Sequence, residues 1–369
     1  MIGIELEIVL LAVTVAVACA LPGVFLVLRR MALMSDAISH TVLLGIVVAF
    51  FVVEDLTSPI LIVGAAATGL ITVALVEAIR GTGLVKEDAA IGLVFPALFS
   101  VAVILITRFA GDVHLDTDAV LLGEIALAPF RRMVIGGVDI GPRSLWVMLA
   151  VLALNAAFLT AFYKELKLST FDAALAAALG FSPALIHYAF MGVVSVTAVA
   201  AFDSVGSILV VAFMIVPPAA AYLLSDRLGH VLGLSAGIAA LSAVIGYFAA
   251  RSLDASIAGS MAGAAGALFM LVLMAAPDRG LVALARRRAR QRVEFARQML
   301  TIHLLHHEGT PAAADESRID HLSEHLSWTP DRAERVVASA VKAGHVTIED
   351  RRLHLTQEGR TAARRTMLG

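Results

Sequence analysis

The sequence predicts an all-α polytopic membrane protein of about nine transmembrane helices, followed by a small cytoplasmic winged helix-turn-helix domain. The first observation is composition: 59% of the 369 residues are hydrophobic, 16% are charged, and the mean hydropathy is +0.89. Soluble domains are usually about 45–50% apolar and about 25% charged. The second observation is a series of long apolar runs, and the third is a change of composition after Arg279.

Nine apolar segments are long enough to cross a hydrocarbon core, which takes roughly 20 helical residues. They run approximately over residues 4–28, 34–53, 59–79, 90–107, 145–162, 183–201, 205–224, 231–250 and 256–276. The first is kept as a span because it lacks the basic region and cleavage site of a signal peptide. It contains the single cysteine, Cys19, so no internal disulfide is expected.

Basic residues mark alternate connections between these segments, and they set the predicted orientation in the cell (inner or plasma) membrane. The marked connections carry Arg29 and Arg30, Arg80 and Lys86, Lys164 and Lys167, Arg227, and the run from Arg279 to Arg292. All of these are cytoplasmic if the N-terminus is outside and the C-terminus is inside. Three arginines in a long outward loop oppose this trend: Arg131, Arg132 and Arg143.

Charge divides the chain into a transmembrane domain (1–278), a basic juxtamembrane linker (279–292) and a cytoplasmic domain (293–369). Residues 1–278 have a charge balance of −7, whereas residues 279–369 have +5 and seven of the 11 histidines. The linker is expected to bind anionic lipid headgroups rather than nucleic acid, because it directly follows a span. The last domain is predicted to contain a helix, a second helix, a tight turn, a third helix and two strands, which is the order of a winged helix-turn-helix.

Asp36 and His40 stand at the start of the second apolar segment. They are four residues apart, so a helix presents both on one face. Ionisable residues in a span avoid lipid and are functional candidates, and carboxylate with imidazole suits Mn²⁺, Fe²⁺ or Zn²⁺. The alternative is a hydrogen-bonded structural pair. Ser35 and Ser39 are candidates to cap or orient the two side chains.

Other polar residues in or beside spans are weaker candidates. His187 and Asp203, in or beside the sixth segment, are candidates for an accessory ion path. Three residues of the outward loop either attract cations or are simply solvated: His114, Asp116 and Asp118. Pro217 and Pro218 lie inside a span and are expected to kink or break its helix.

One predicted cytoplasmic connection, residues 166–182, is too long for a simple turn. Ser169 or Thr170 can cap a short amphipathic helix there, and Gly180 can end it. Such a helix is typical of a docking element. The charged cluster at residues 86–88 either adds to that surface or is an ordinary solvated group.

Four stretches resemble the manganese/zinc/iron ABC-transporter permease family: FLVLRRMALMSDAISHTVLLG, KEDAAIGLVFPALFS, LGFSP and SVGSILVVAFMIVPPAAAYLLSDR. The resemblance extends over nearly all of residues 1–276. It implies a membrane subunit that pairs with a second permease protomer, identical or not. It also implies that this subunit receives a divalent metal from an extracytoplasmic binding protein and couples to cytoplasmic ABC ATPase subunits.

The resemblance also assigns roles to residues. The family's metal-coordinating pair maps onto Asp36 and His40, and two protomers would supply four ligands. Residues 166–182 correspond to the family's coupling helix, which seats in a groove of the ATPase. The positions expected to carry that contact are Phe171, Asp172, Leu175 and Gly180.

The segment LSEHLSWTPDRAERVVASAVKAGHVTIEDRRLHLTQEGR resembles the winged-helix half of iron- and manganese-dependent repressors. The metal-binding domain of those repressors is missing, so a metal-sensing site of their type is not expected. Five histidines are interpreted as surface residues rather than metal ligands: His303, His306, His307, His321 and His325. DNA contact through Arg332 and Arg335 would need a membrane-tethered reader, so a regulatory or protein-contact role is favoured over nucleic-acid binding.

The sequence thus predicts the permease subunit of an ABC importer for Mn, Fe or Zn, with no tightly bound cofactor. A G-x-x-x-x-G-K-[ST] phosphate loop is lacking, so ATP hydrolysis is expected from a separate chain and the protein is not an enzyme. The alternatives are a membrane-tethered, metal-responsive DNA-binding regulator and a transporter driven by an ion gradient. One question stays open: Asp36 is only about 9 Å along a helix from Arg30. Either the site is off-centre or the arginines are drawn into the protein.

Overall fold

The computed structural model describes residues 2–54, 58, 60–109, 125–135, 138–319, 321–322, 326 and 328–368. The chain divides into two compact units, residues 1–277 and residues 278–369. The outward-loop residues His114, Asp116 and Asp118 lie outside the described residues, as does His325.

Long helices make up most of the first unit. In order they are α1 (Ile2–Leu28), α2 (Ala32–Val53), α3 (Ile60–Gly81), α4 (Glu87–Phe109), α5 (Arg143–Ala161), α6 (Tyr163–Phe171), α7 (Ala173–Ala178), α8 (Pro183–Val205), α9 (Ser207–Leu224), α10 (Leu228–Leu253) and α11 (Ile257–Ala275). Within the described residues, nine of them are long and apolar enough to cross a membrane, all except α6 and α7. The prediction of about nine transmembrane helices is therefore confirmed.

Helix α1 lies at the centre of this unit. It packs against α5, α8, α9 and α10, and its side chains from Leu11 to Ala20 are largely buried. Cys19 is fully buried, which places it against neighbouring helices rather than lipid. Polar groups in the interior are satisfied between helices. For example, the Asn155 amide of α5 donates to the Ala18 carbonyl at 2.8 Å and accepts from the Thr197 hydroxyl of α8 at 3.0 Å.

A second helix group, α2, α3 and α4, packs beside α8 and α9. Helices α2 and α3 approach closely because Gly45 and Gly64 face each other. A Cβ on Gly45 would lie 2.3 Å from the Gly64 carbonyl oxygen, and one on Gly64 would lie 2.7 Å from the Gly45 carbonyl oxygen. Close helix approach through small residues is a usual basis of packing in lipid.

The fold is not wholly helical, so the all-α prediction is corrected to mostly helical. A 3₁₀ helix (Ile125–Phe130) and an antiparallel hairpin, β1 (Arg132–Ile135) with β2 (Val138–Pro142), precede α5. The sequence analysis did not predict this hairpin, because its strands are only four and five residues long and lie in the long outward loop.

The second unit contains α12 (Leu281–His307), α13 (Ala313–Glu316), α14 (Pro330–Lys342), β3 (Val346–Glu349), β4 (Arg352–Leu355) and α15 (Gln357–Leu368). Strands β3 and β4 pair antiparallel around Asp350 and Arg351, whose φ angles of 49° and 60° suit a tight hairpin turn. Buried side chains of α12, α14, β3 and β4, among them Leu300 and Val336, form with Leu322 and Trp328 a core separate from that of the first unit.

The basic stretch predicted as a linker is helical. Helix α12 begins at Leu281 and continues without interruption to His307, so it includes the arginines from Arg286 to Arg292. The division into 1–278, 279–292 and 293–369 remains a prediction.

Candidate metal site and coupling segment

A tight turn sets where α2 begins. The Arg30 N–H donates to the Val27 carbonyl and the Met31 N–H to the Leu26 carbonyl, with Arg30 in the left-handed region at φ 62°. This pair of bonds is the Schellman arrangement that ends a helix. Because it ends α1 at Leu28, α2 starts at Ala32 and Asp36 and His40 lie within its first three turns.

The two predicted metal ligands are brought together. His40 Nε2 lies 3.4 Å from Asp36 Oδ1, and the side chains are 28% and 41% exposed. Two atoms that ligate one Zn²⁺ tetrahedrally at about 2.1 Å lie about 3.4 Å apart. The observed separation fits an Asp–His ion pair and also equals the spacing of two ligands of one ion, so the metal site stays a prediction.

Two phenylalanines of α4 hold the His40 imidazole. Its ring stacks on Phe95 at 5.5 Å between centroids and meets Phe99 edge-on at 6.1 Å. The predicted helpers Ser35 and Ser39 do not touch this pair through their hydroxyls. Those hydroxyls donate to the carbonyls of Ala32 and Ser35 within α2, so they bond to their own helix and not to the two ligands.

Asp36 and His40 lie on the outward stripe of α2. This stripe also contains Leu33, Val48 and Phe51, which are 48%, 50% and 38% exposed. The stripe follows the three- and four-residue spacing of one helix face. The opposite face of α2 is buried against the rest of the unit, whereas the stripe with Asp36 and His40 is partly exposed and borders α4, which covers the His40 ring.

The predicted coupling segment forms two short helices, α6 and α7. Asp172 separates them and caps α7: its Oδ1 accepts the Leu175 N–H at 2.9 Å. The prediction that Ser169 or Thr170 is the cap is therefore wrong. Gly180 ends α7 as expected, with φ 87° and the Phe181 N–H bonded to the Ala176 carbonyl.

The surface of this segment is apolar and open in the isolated chain. Phe171 is 63% exposed, Leu175 is 46% exposed, and Leu179 and Leu185 are exposed to similar or greater extents. Contiguous exposed apolar side chains rimmed by polar ones mark interaction surfaces. The four predicted coupling positions divide into two classes: Phe171 and Leu175 offer contact area, whereas Asp172 and Gly180 shape the segment.

Arg29 joins this segment to the start of α2. Its guanidinium donates to the Thr170 and Ser169 hydroxyls of α6, each at 3.0 Å. It also lies 3.2 Å from His187 Nδ1 and over the Phe190 ring at 5.1 Å. Burial lowers the pKa of Arg29 to about 10, so the side chain is still protonated at neutral pH.

This arrangement supports one of the two explanations for the short distance between Arg30 and Asp36. Arg29 is drawn into the protein, whereas Arg30 is exposed. Asp36 lies about 6 Å and His40 about 12 Å from the beginning of α2 by helical rise, so both are in the first half of that helix.

The two accessory candidates lie far apart. His187 stands in the first turns of α8, where its Nε2 lies 2.7 Å from Glu77 Oε1 of α3. Asp203 is near the other end of the same helix, about 24 Å away by helical rise. It is 77% exposed and lies 3.9 Å from Arg131. The two do not form one site, and the accessory ion path remains a prediction.

Several residues of this region were missed from the sequence. Glu77, Phe95 and Phe99 look like ordinary residues of apolar helices, and only the packing of α3 and α4 brings them to His187 and His40. Of these three residues, the sequence could have indicated Glu77, because it is an acidic residue near the end of an apolar run.

Comparison with known proteins places the chain among transport permeases. A family model described as the ABC 3 transport family matches residues 3–276. The chain belongs to the ABC 3 transport family. A solved structure of similar fold is a chain of PsaBC from Streptococcus pneumoniae in complex with Fab. The TM-score is 0.63 and the identity 30%, over 76% of this chain and 94% of that chain.

Two curated relatives of this ABC 3 member are more similar in sequence. The zinc transport system membrane protein TroD of Treponema pallidum is 49% identical over 354 residues, 96% of each chain. The manganese transport system membrane protein MntD of Bacillus subtilis is 50% identical over 278 residues, 75% of this chain and 94% of MntD. A 354-residue match is too long for the first unit alone, so the likeness to TroD includes most of the second unit.

Proposed function

We propose that this protein is the permease subunit of an ATP-binding-cassette importer for divalent transition-metal ions. The observation that carries the proposal is the Asp36–His40 pair, spaced for a shared ion and turned outward on α2 of an ABC 3 family member. Family membership over residues 3–276 favours this function over a membrane-tethered DNA-binding regulator.

Two protomers complete the transport site in this proposal. One chain supplies a single carboxylate and a single imidazole, which is too few for a closed structural site but suits transient binding. If the outward stripes of two α2 helices face each other, four ligands surround the path. The second permease protomer is either an identical chain or a sister subunit.

The transported ion belongs to the first-row divalent series. The relatives named above are zinc and manganese transport proteins, and oxygen with imidazole nitrogen accepts Mn²⁺, Fe²⁺ and Zn²⁺. The metal is the substrate of the protein and not a resident cofactor.

Asp36→Ala and His40→Ala are each expected to lower cellular accumulation of the transported metal at least about 10-fold. Mutation of a residue that only contacts a metal ligand already lowers metal affinity or activity by about 10–100-fold, and these two residues are proposed to be ligands themselves. Accumulation of Mn, Fe and Zn is measured by elemental analysis in a deletion strain complemented with each variant.

His230→Ala is the matched control, because His230 is an exposed histidine of α10 outside this site. The variants must be present in the membrane at wild-type amounts. Normal accumulation by both Asp36→Ala and His40→Ala would overturn the assigned site.

The partners follow from the same proposal. Cytoplasmic ABC ATPase subunits dock on the surface of α6 and α7, with Phe171 and Leu175 as apolar contacts. An extracytoplasmic binding protein delivers the metal at the opposite end. Because Arg29 bonds to α6 and directly precedes α2, movement of the docked segment is transmitted to the helix that carries Asp36 and His40.

The second unit is proposed to be a cytoplasmic winged-helix domain. Its order of helices, with α14 followed by the β3–β4 hairpin, supports this assignment. We favour a regulatory or protein-contact role over DNA binding. Arg332, one of the two candidate DNA contacts, lies over the Trp328 ring at 5.6 Å and so belongs partly to the fold of the unit.

A further inference from the structure

The C-terminal unit brings two histidines and a glutamate together where the sequence indicated only surface histidines. His303 and His307 lie near the end of α12, and Glu316 ends α13. One ligand atom from each of these residues can be chosen so that all three lie within 4.8 Å of one another. His321 lies beside them, with its Nε2 3.8 Å from Glu316 Oε1. The interpretation of these histidines as surface residues is therefore revised.

The distances resemble those of the Asp36–His40 pair. His303 Nε2 is 3.3 Å from Glu316 Oε2, close to the separation of about 3.4 Å between two tetrahedral ligands of one Zn²⁺. The rings of His303 and His307 have their centroids 4.8 Å apart. Histidines at i and i+4 share a helix face, which is the spacing of the two zinc ligands in H-E-x-x-H.

Burial adds a second, independent argument. The side chains of His303 and Glu316 are only 10% and 9% exposed. Three imidazoles, those of His303, His307 and His321, lie beside this carboxylate. Buried charged groups in proteins are paired or coordinate metals, and imidazole nitrogen with carboxylate oxygen is a donor set that a divalent cation accepts.

We propose that His303, His307 and Glu316 form a second divalent-metal site, with His321 or water as the fourth ligand. Two imidazoles and one carboxylate make a zinc-type donor set. This site belongs to the second unit, shares no residue with the transport pair, and does not depend on the proposed function. Bound metal links the end of α12 to residues 313–321 across the turn at residues 308–312, so metal loading stiffens this part of the unit.

The test uses the full chain in detergent, with Asp36→Ala and His40→Ala introduced to remove the transport pair. Zn²⁺ binding is measured by equilibrium dialysis and elemental analysis, and Co²⁺ serves as a spectroscopic probe of the ligand geometry. We expect one Zn²⁺ per chain and a tetrahedral Co²⁺ spectrum. Adding either His307→Ala or Glu316→Gln is expected to weaken Zn²⁺ binding more than about 100-fold. This loss is larger than the one typical of mutating a residue that only contacts a metal ligand.

Glu316→Gln keeps the size of the side chain, so it tests ligation even if an alanine variant fails to fold. His354→Ala on β4 is the matched histidine control and should bind Zn²⁺ as the parent does. In hydrogen exchange, Zn²⁺ should slow the amides of residues 308–322 in the parent and not in Glu316→Gln. Zn²⁺ binding that is absent from the parent, or unchanged in both His307→Ala and Glu316→Gln, would overturn the proposal.

Discussion

The guanidinium of Arg29 connects parts of the chain that are 140 or more residues apart. It bonds to two hydroxyls of α6 and lies beside His187 of α8, while its own N–H makes the last helical bond of α1, just before the turn into α2. Lysine cannot reproduce this set of contacts, because the guanidinium is planar and offers several donors in fixed directions. At the scale of single residues, Arg29 is therefore the physical connection between the coupling segment and the metal pair.

Arg29→Gln is expected to reduce metal uptake per ATP hydrolysed, because it removes a buried charge whose hydrogen bonds are worth about 1.5–3 kcal/mol each. The measurement compares uptake and ATPase activity in vesicles containing the assembled transporter. Arg30→Gln is the control, since Arg30 is exposed and already occupies the left-handed turn position. An unchanged uptake-to-ATP ratio in Arg29→Gln would remove Arg29 from the coupling path.

The residues with a proposed chemical role differ in how easily they can be recognised from the sequence. Asp36 and His40 stand out because charged groups are rare in an apolar run. Arg29 looked like a marker of membrane orientation, and its contacts with Thr170 and His187 depend on tertiary packing. His303 looked like a surface residue, since nothing local shows that Glu316 folds back onto it.

At the scale of elements, small residues decide which helices approach closely. Gly23 of α1 packs on the carbonyl of Met214 in α9, where a Cβ would lie 2.2 Å from the oxygen. This carbonyl lacks the usual helical donor because Pro218 has no N–H. Helix α9 nevertheless runs continuously through Pro217 and Pro218, so the helix is not broken there, and a kink, the other expected outcome, stays a prediction.

Gly64→Ala is expected to destabilise the first unit by about 1–3 kcal/mol, because the new methyl group would overpack the α2–α3 contact. The midpoint of thermal denaturation in detergent should fall accordingly. Gly263→Ala in α11 is the matched control: a Cβ there meets nothing within 4 Å, and alanine favours a helix over glycine by about 1 kcal/mol. Equal midpoints for the two variants would contradict the close approach of α2 and α3.

At the scale of the whole molecule, charge pairs explain Arg132, one of the three arginines that opposed the predicted orientation. Arg132 bonds to Glu7 of α1 and to Asp139 of β2. The Arg132 guanidinium holds the pKa of Asp139 below its usual range. Arg132 is thus matched by acidic side chains within the fold, so it is weak evidence for a cytoplasmic loop.

The outward stripe of α2 leads to a prediction about assembly. Leu33→Cys, combined with Cys19→Ala, is expected to form a disulfide between two permease chains in membranes treated with oxidant, because the stripe is proposed to face the second protomer. Gel electrophoresis would show a band at the mass of two chains, and where the partner is a sister subunit the corresponding residue of that subunit is changed to cysteine as well. Met270→Cys on α11 serves as control, because Met270 is 59% exposed and Leu33 is 48% exposed. Crosslinking that is no stronger at Leu33 than at Met270 would place the interface elsewhere.

The sequence by itself determined the nine spanning helices, the Asp36–His40 pair and the hairpin after α14, because each depends on local periodicity, composition or turn chemistry. Tertiary structure decided what joins those parts. It placed Phe95 against His40, drew Arg29 into the protein, and brought Glu316 to His303. Hydropathy and spacing report on one helix at a time. Contacts between residues distant in the chain arise only when helices pack, and these contacts separate a metal ligand from a surface histidine.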